Sequence, residues 1–373
     1  MDTRKTVISV ITAWLSIATF FAETSESYSY YVCTSNGEIV KWPDKKINWR
    51  AGKNSFSSSD WRDHLLKANS RWNQAPGDFT FGVDTWSDSS VSRGNSQNEI
   101  WFSSNQNILD GAPATCYRWA KCSGTVKWRE KDIIFDSERK WSRSNNMYSK
   151  TIYGGDWRNW GATALHEMGH ALGITHTNNT FNIMGSDQTH VMVNNGKIRF
   201  YAGEDGGNGE VFLYGQTDTS PRNDLGVTHW KYGEASGEYS SHWFCRMYYI
   251  TGENVGSIPW LTDRRRYKVK LGGTYKAQFT FENNGYYDKS DIDVAWYIST
   301  NSNITTNDNR IRTGTMTLNR NKAYTTEHTV TIPSGGYEVG DELYLGVIVD
   351  YTGKITEFSS FNNATYLPIL IVD

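Results

Sequence analysis

Hydrophobic positions follow two different periods along the chain. In the first half they mark a mixture of short strands and helices. Residues 46–52 (KINWRAG) read as a strand. In residues 60–73, Trp61, Leu65, Ala68 and Trp72 fall on one helical face, with Asp60 or Ser59 as the cap. Short strands are predicted at 78–83, 99–103 and 132–136, a second helix over 159–172, and a third over 221–232 with Pro221 at its first position. In the second half the period becomes two. Tyr275, Ala277, Phe279 and Phe281 fall on alternate positions, as do Ile292, Val294, Trp296 and Ile298, and again Leu343, Leu345, Val347 and Val349, with turn residues such as Asn283-Asn284-Gly285 between the runs. That spacing predicts a β-sandwich over 267–373, with residues 251–266 as a linker.

The chain has 373 residues, enough for two domains. Charged residues make up 21% and the net charge is −2, so nothing supplies the basic face a nucleic-acid partner needs, and none is expected. Sixteen Trp and 22 Tyr are far more than disordered chains carry. At the start, Arg4 and Lys5 precede an uncharged apolar run over 6–22. This predicts a secretory signal peptide over 1–22 and a secreted, extracellular protein. The competing reading, an uncleaved anchor, requires a somewhat longer apolar run. A short N-terminal segment, 23–40, follows.

Candidate chemistry concentrates in His166-Glu167-Met168-Gly169-His170-Ala171-Leu172-Gly173-Ile174-Thr175-His176. On a helix, His166 and His170 are one turn apart and project from one face. Gly173 tolerates the backbone conformation needed to leave the helix sharply, which returns His176 as a third ligand. Three imidazoles and one open position describe a catalytic rather than a structural zinc site. Zinc lowers the pKa of bound water to roughly 7, and Glu167 is placed to act as general base on it. The bland alternative is a cluster of packed histidines. His190, His229 and His242 lie outside the pattern and read as ordinary packed or surface side chains.

HEMGHALGITH resembles the zinc signature of the metzincin metalloproteases. Asn182-Ile183-Met184-Gly185 is similar to that family's methionine turn, and the eight-residue step from His176 to Met184 is similar to the matrixins. The resemblance implies an α+β catalytic domain over 41–250, with a twisted, mostly parallel sheet and three helices. It implies that Met184 packs beneath the metal and that residues 109–120 line the substrate cleft, with Ala112, Ala114, Cys116 and Tyr117 along its edge strand. It also implies an acidic calcium turn in 132–141, with Asp136 and Glu138 as ligands and Asp110 a weaker one; a solvated turn is the equal alternative. Residues 187–220 form an insertion longer than the family's usual length. Two family features are missing: histidines for a second, structural zinc, and a recognisable prodomain before Lys41.

Four cysteines leave pairings open. A hairpin would bring Cys116 to Cys122, and Cys33 would then pair with Cys245. Alternatively Cys33 occupies the open zinc position as a latency ligand, which the nine-residue step from Cys33 to Trp42 is long enough to allow. In the C-terminal half, Phe281-Glu282-Asn283-Asn284-Gly285 and Val349-Asp350 through Glu357 to Asn362-Asn363 resemble the CARDB family of adhesion-related immunoglobulin-like modules. That implies an accessory role, such as binding a surface or the substrate. The expectation is therefore a secreted, monomeric zinc endopeptidase acting on protein or peptide. Its rivals are an adhesin or binding module on an inactive protease scaffold, and a zinc amidase acting on cell wall.

Overall fold

The computed structural model describes residues 30–176, 183–185, 191–217, 223–236, 239–261, 264–320 and 322–373. The expected signal peptide, Thr177, Asn182, Ser186, His190 and Pro221 lie outside these residues. The first elements are β1 (Lys46–Gly52), α1 (Ser59–Asn73), β2 (Thr80–Asp88), β3 (Glu99–Ser103), α2 (Gln106–Leu109), β4 (Ala114–Lys121) and β5 (Lys127–Asp136). Their strands make one sheet in the order β2-β1-β3-β5-β4. Three pairings are parallel, and only β4 runs antiparallel, against β5. β4 is therefore a sheet edge, with one side unpaired among the described residues.

Helix α1 starts one residue earlier than expected, because Ser58 rather than Ser59 or Asp60 caps it by accepting from Trp61 N. It buries Leu65, Ala68 and Trp72. After β6 (Trp141–Ser142) and β7 (Arg158–Asn159) comes α3 (Trp160–Leu172), capped by Asn159 and buried at all thirteen residues. Trp49, Trp72, Trp160, Phe56, Phe135 and Leu165 join sheet and helices in one core. The zinc motif thus sits on a helix with no solvent face.

The expected third helix over 221–232 is absent. The described part of that stretch forms β10 (Leu225–Thr228) and the start of β11 (Trp230–Ser236). Leu225 and Val227 are buried by pairing against Asn283 and Phe281, so tertiary contacts decide their conformation. The helix lies upstream, within the segment read as an insertion. That segment holds a hairpin, β8 (Val191–Asn194) and β9 (Lys197–Phe200), and then α4 (Gly203–Tyr214). Asn195 and Gly196 turn the hairpin, both with positive φ.

The remaining strands are β12 (Tyr239–Phe244), β13 (Met247–Tyr249), β14 (Ser257–Leu261), β15 (Arg264–Lys270), β16 (Thr274–Asn283), β17 (Lys289–Ser299), β18 (Asn309–Leu318), β19 (Lys322–Thr331), β20 (Glu342–Val349) and β21 (Ala364–Val372). One sheet runs β14-β15-β21-β20-β17-β18; in the other, β10 and β13 pair with successive stretches of β16, and β19 pairs along its whole length. Phe279, Phe281, Trp296, Leu345, Val347 and Ile369 fill the space between them. The alternating residues expected on these strands are buried as the period-two pattern requires. The sandwich begins well before residue 267, however. β10 and β13 belong to it, Val227 and Met247 enter its core, and β14 and part of β15 occupy the expected linker.

The cysteine pairing also differs. Cys33 is bonded to Cys122, with the two Cα atoms 5.6 Å apart, while Cys116 and Cys245 are buried free thiols. Neither Cys116–Cys122 nor Cys33–Cys245 forms. Cys116 lies within β4 and Cys122 just beyond its end, and a strand rising ~3.3 Å per residue holds them too far apart. Cys245 is sealed in the sandwich core. With Cys33 tied to Cys122, its thiolate does not serve as a latency ligand.

Candidate metal centre and cleft

His166 and His170 lie one turn apart on α3, and each ring is oriented by a backbone carbonyl. His166 Nδ1 is 2.8 Å from the Ile183 carbonyl oxygen, and His170 Nδ1 is 2.9 Å from that of Ile174. A carbonyl only accepts, so each Nδ1 carries the proton and each Nε2 presents its lone pair. The helix ends at Gly173, whose φ of 122° excludes most other residues. The chain reverses there and returns His176. Its Nε2 lies 3.1 Å from that of His166 and 3.0 Å from that of His170.

This donor set fits zinc. Tetrahedral ligands at ~2.0–2.1 Å are spaced a little over 3 Å apart. Burial, reinforced by His166 and His176, holds the His170 pKa well below the ordinary histidine range, so the ring is kept in the neutral form that binds metal. Among the described residues these three are the only such group of metal-capable side chains.

The helix is braced by side chains whose contacts with it no local sequence pattern announces. Trp72 Nε1 donates to the Leu165 carbonyl at 3.0 Å and Trp42 Nε1 to that of Ala171 at 2.9 Å. Lys131 Nζ donates to the His170 carbonyl at 2.8 Å, and the Tyr214 hydroxyl to that of Leu172 at 2.5 Å. The last carbonyls of a helix lack partners of their own, and here side chains supply them for His170, Ala171 and Leu172. Lys131 is fully buried under the Trp128 ring, and burial lowers its pKa to about 7. Met184 is buried beneath the same helix against Gly169, where a Cβ would overlap its sulfur.

In front of the histidines lies a cleft of about 600 Å³. Glu167 lines it, largely buried, as do Ala112, Ala114 and Cys116 from the edge strand and the loop before it. Tyr117 does not. It turns to the other side, where its hydroxyl donates to the Ile108 carbonyl at 2.6 Å. Burial pushes the Cys116 thiol up to about 12, so it stays protonated. Arg118, within the expected 109–120 stretch, also lines it, and two lining residues were not foreseen: Tyr31, from the N-terminal segment, and Arg158.

The expected calcium turn is engaged otherwise. Asp136 accepts from the Glu138 amide at 2.9 Å and faces the Arg139 guanidinium at 3.5 Å, while Glu138 is exposed. Asp110 is the left-handed cap of α2. Among the described residues, these carboxylates do not gather into a group of three metal-capable side chains. His229 is buried in a separate cluster, between the Tyr153 hydroxyl and Thr365.

Comparison with known proteins finds one family model similar to part of the first half. Residues 41–200 match the family model of the matrixins, which are zinc metallopeptidases. No curated protein matches the chain. Among solved structures, it is similar to the CARDB domain of a Pyrococcus furiosus protein crystallised with di-metal ions: 13% identity over 41% of this chain and 97% of that one, with a TM-score of 0.25. A solution structure of the same CARDB domain gives 12% identity, 41% and 98% coverage and a TM-score of 0.25. The sporulation control protein of Bacillus subtilis gives 17% identity, 28% and 45% coverage and a TM-score of 0.18.

Proposed function

We propose that this chain is a secreted zinc endopeptidase that cleaves extended peptides, with Glu167 as its general base. The observation that carries the reading is the convergence of three imidazole Nε2 atoms at the wall of a cleft that Glu167 also lines. His166, His170 and His176 would hold zinc, which when bound supplies Lewis acidity toward water and toward a carbonyl. Glu167 lies on the same rigid helix as His166 and His170 and lines the same cleft, which puts its carboxylate within the site. It would take a proton from the attacking water and deliver it to the leaving amine.

The free side of β4 supports a peptide rather than another amide as substrate. An edge strand offers unpaired N–H and C=O groups that an extended chain can match by strand addition. Ala112, Ala114 and Cys116 are small side chains, which leaves the approach open. The Cys33–Cys122 disulfide supports an oxidising compartment, in line with the apolar segment behind Arg4 and Lys5. The sandwich is read as a non-catalytic attachment module, on its sequence resemblance alone.

The test is hydrolysis of internally quenched peptides alongside cell-wall fragments, before and after removal of metal by a chelator. The expected result is peptide cleavage that the chelator abolishes and zinc restores, with no release from cell-wall amides. Cleavage of the cell-wall amide alone would replace the peptidase reading with the amidase one.

A further inference from the structure

Tyr31 and Arg118 meet at the cleft wall from distant parts of the chain. Tyr31 belongs to the segment before the catalytic sheet, and Arg118 to the edge strand. The guanidinium lies over the Tyr31 ring, 4.3 Å from its centroid, and donates to the Tyr31 hydroxyl at 3.3 Å. The same hydroxyl is 3.5 Å from His170 Nδ1. Tyr31 is held firmly. Its amide donates to the Gly173 carbonyl at 3.2 Å, its carbonyl accepts from Val40 N at 3.0 Å, and its ring packs edge-on against Trp128.

The disulfide joins the two elements that carry this pair. Cys33 is two residues after Tyr31, and Cys122 is four residues after Arg118. The staple thus fixes the strap against the far end of β4. Arg118 itself is exposed, and it faces no carboxylate among the described residues. A guanidinium that is immobilised on an aromatic face and lacks an anionic partner is a preorganised carboxylate receptor.

We propose that Arg118, positioned by Tyr31, is a specificity residue that selects peptides carrying an aspartate or glutamate side chain near the cleaved bond. This rests on the peptidase reading above and names its substrate class. Two polar contacts separate the guanidinium from a zinc-ligand ring. An extended peptide rises ~3.3 Å per residue, so the acidic side chain belongs about two or three residues from the scissile bond.

The test uses the full chain and one quenched peptide in which Glu, Ala or Lys is placed at each position in turn. At one position, wild type should cleave the Glu peptide about tenfold more efficiently than the Lys peptide, chiefly through KM, since one exposed pair contributes modestly and its like-charge replacement repels. Arg118→Glu should reverse the order, and Arg118→Lys should keep it in weakened form. Tyr31→Phe should retain the preference through the ring. Tyr31→Ala and the Cys33→Ser/Cys122→Ser pair should narrow the Glu–Lys gap by releasing the guanidinium. An Arg118→Glu profile identical to wild type, or cleavage with no charge preference anywhere, overturns the proposal while leaving the peptidase reading intact. Should wild type cleave nothing, binding of the Glu and Lys peptides to Glu167→Ala, read by fluorescence anisotropy, decides the role of Arg118 by the same order of affinities.

Discussion

At the scale of single residues, the site depends on two glycines whose work is different. Gly169 lets Met184 approach α3, and Gly173 lets the chain turn back with His176. Gly169→Ala should therefore overpack the floor of the site and destabilise the protein by about 1–3 kcal/mol, read by chemical denaturation. Gly173→Ala should act on metal binding as well, because its positive φ strains any Cβ-bearing residue and displaces His176. A zinc competition titration should show weaker binding for Gly173→Ala than for wild type. The role of Gly173 was legible in the sequence, because the i, i+4 histidines, that glycine and the third histidine have fixed offsets; the role of Gly169 was not. The braces behind the helix were not, because Trp42, Trp72, Lys131 and Tyr214 reach it from four separate elements and share no local pattern.

At the scale of elements, local preference decided where it was strong and lost where contacts were stronger. The strand at 46–52 and the alternating strands of the sandwich announced themselves by period. Helix α4 did not, since Gly203, Gly206, Gly207 and Gly209 each disfavour a helix by roughly 1 kcal/mol. The structure turns that lack of side chains to use: Gly206 packs on the Trp72 ring, and Gly207 on Pro76. The hairpin before it carried a readable sign, Asn195-Gly196 between two apolar runs, which the sequence reading passed over. Cysteine pairing was beyond sequence, because spacing says nothing about which strand a thiol faces. The observed Cys33–Cys122 bond closes a separation of 89 residues, so Cys33→Ser/Cys122→Ser should lower stability by about 4 kcal/mol. Thermal unfolding with and without reductant should reproduce the shift in wild type and show none in the variant.

At the scale of the whole molecule, the first half and the sandwich share buried polar ground. The Tyr201 hydroxyl, just before α4, donates to Glu282 on β16 at 3.0 Å, and Arg71 of α1 lies over Phe361 at 4.1 Å. Nearby, Asp224 accepts from Asn362 at 3.0 Å and Glu357 from Leu225 N at 2.6 Å. Burial pushes Asp224 up to about 7, and Glu282 and Glu357 up to about 8. Between the ordinary carboxylate range near 4 and about 8, the folded chain holds protons that the unfolded chain has released. Stability should fall as pH rises through that window. Glu282→Gln keeps an acceptor for Tyr201 without the charge, so it should gain stability over wild type at about pH 9 and lose that advantage at about pH 5. Urea unfolding followed by tryptophan fluorescence at the two pH values checks this.

The most direct test of the zinc peptidase account is zinc content and casein hydrolysis, measured side by side on wild type and Glu167→Ala. About one zinc per chain is expected in both, because Glu167 is not a ligand, with hydrolysis reduced roughly 10²–10⁴-fold in the variant. Undiminished hydrolysis by Glu167→Ala, or wild-type protein that takes up no zinc, would contradict the account.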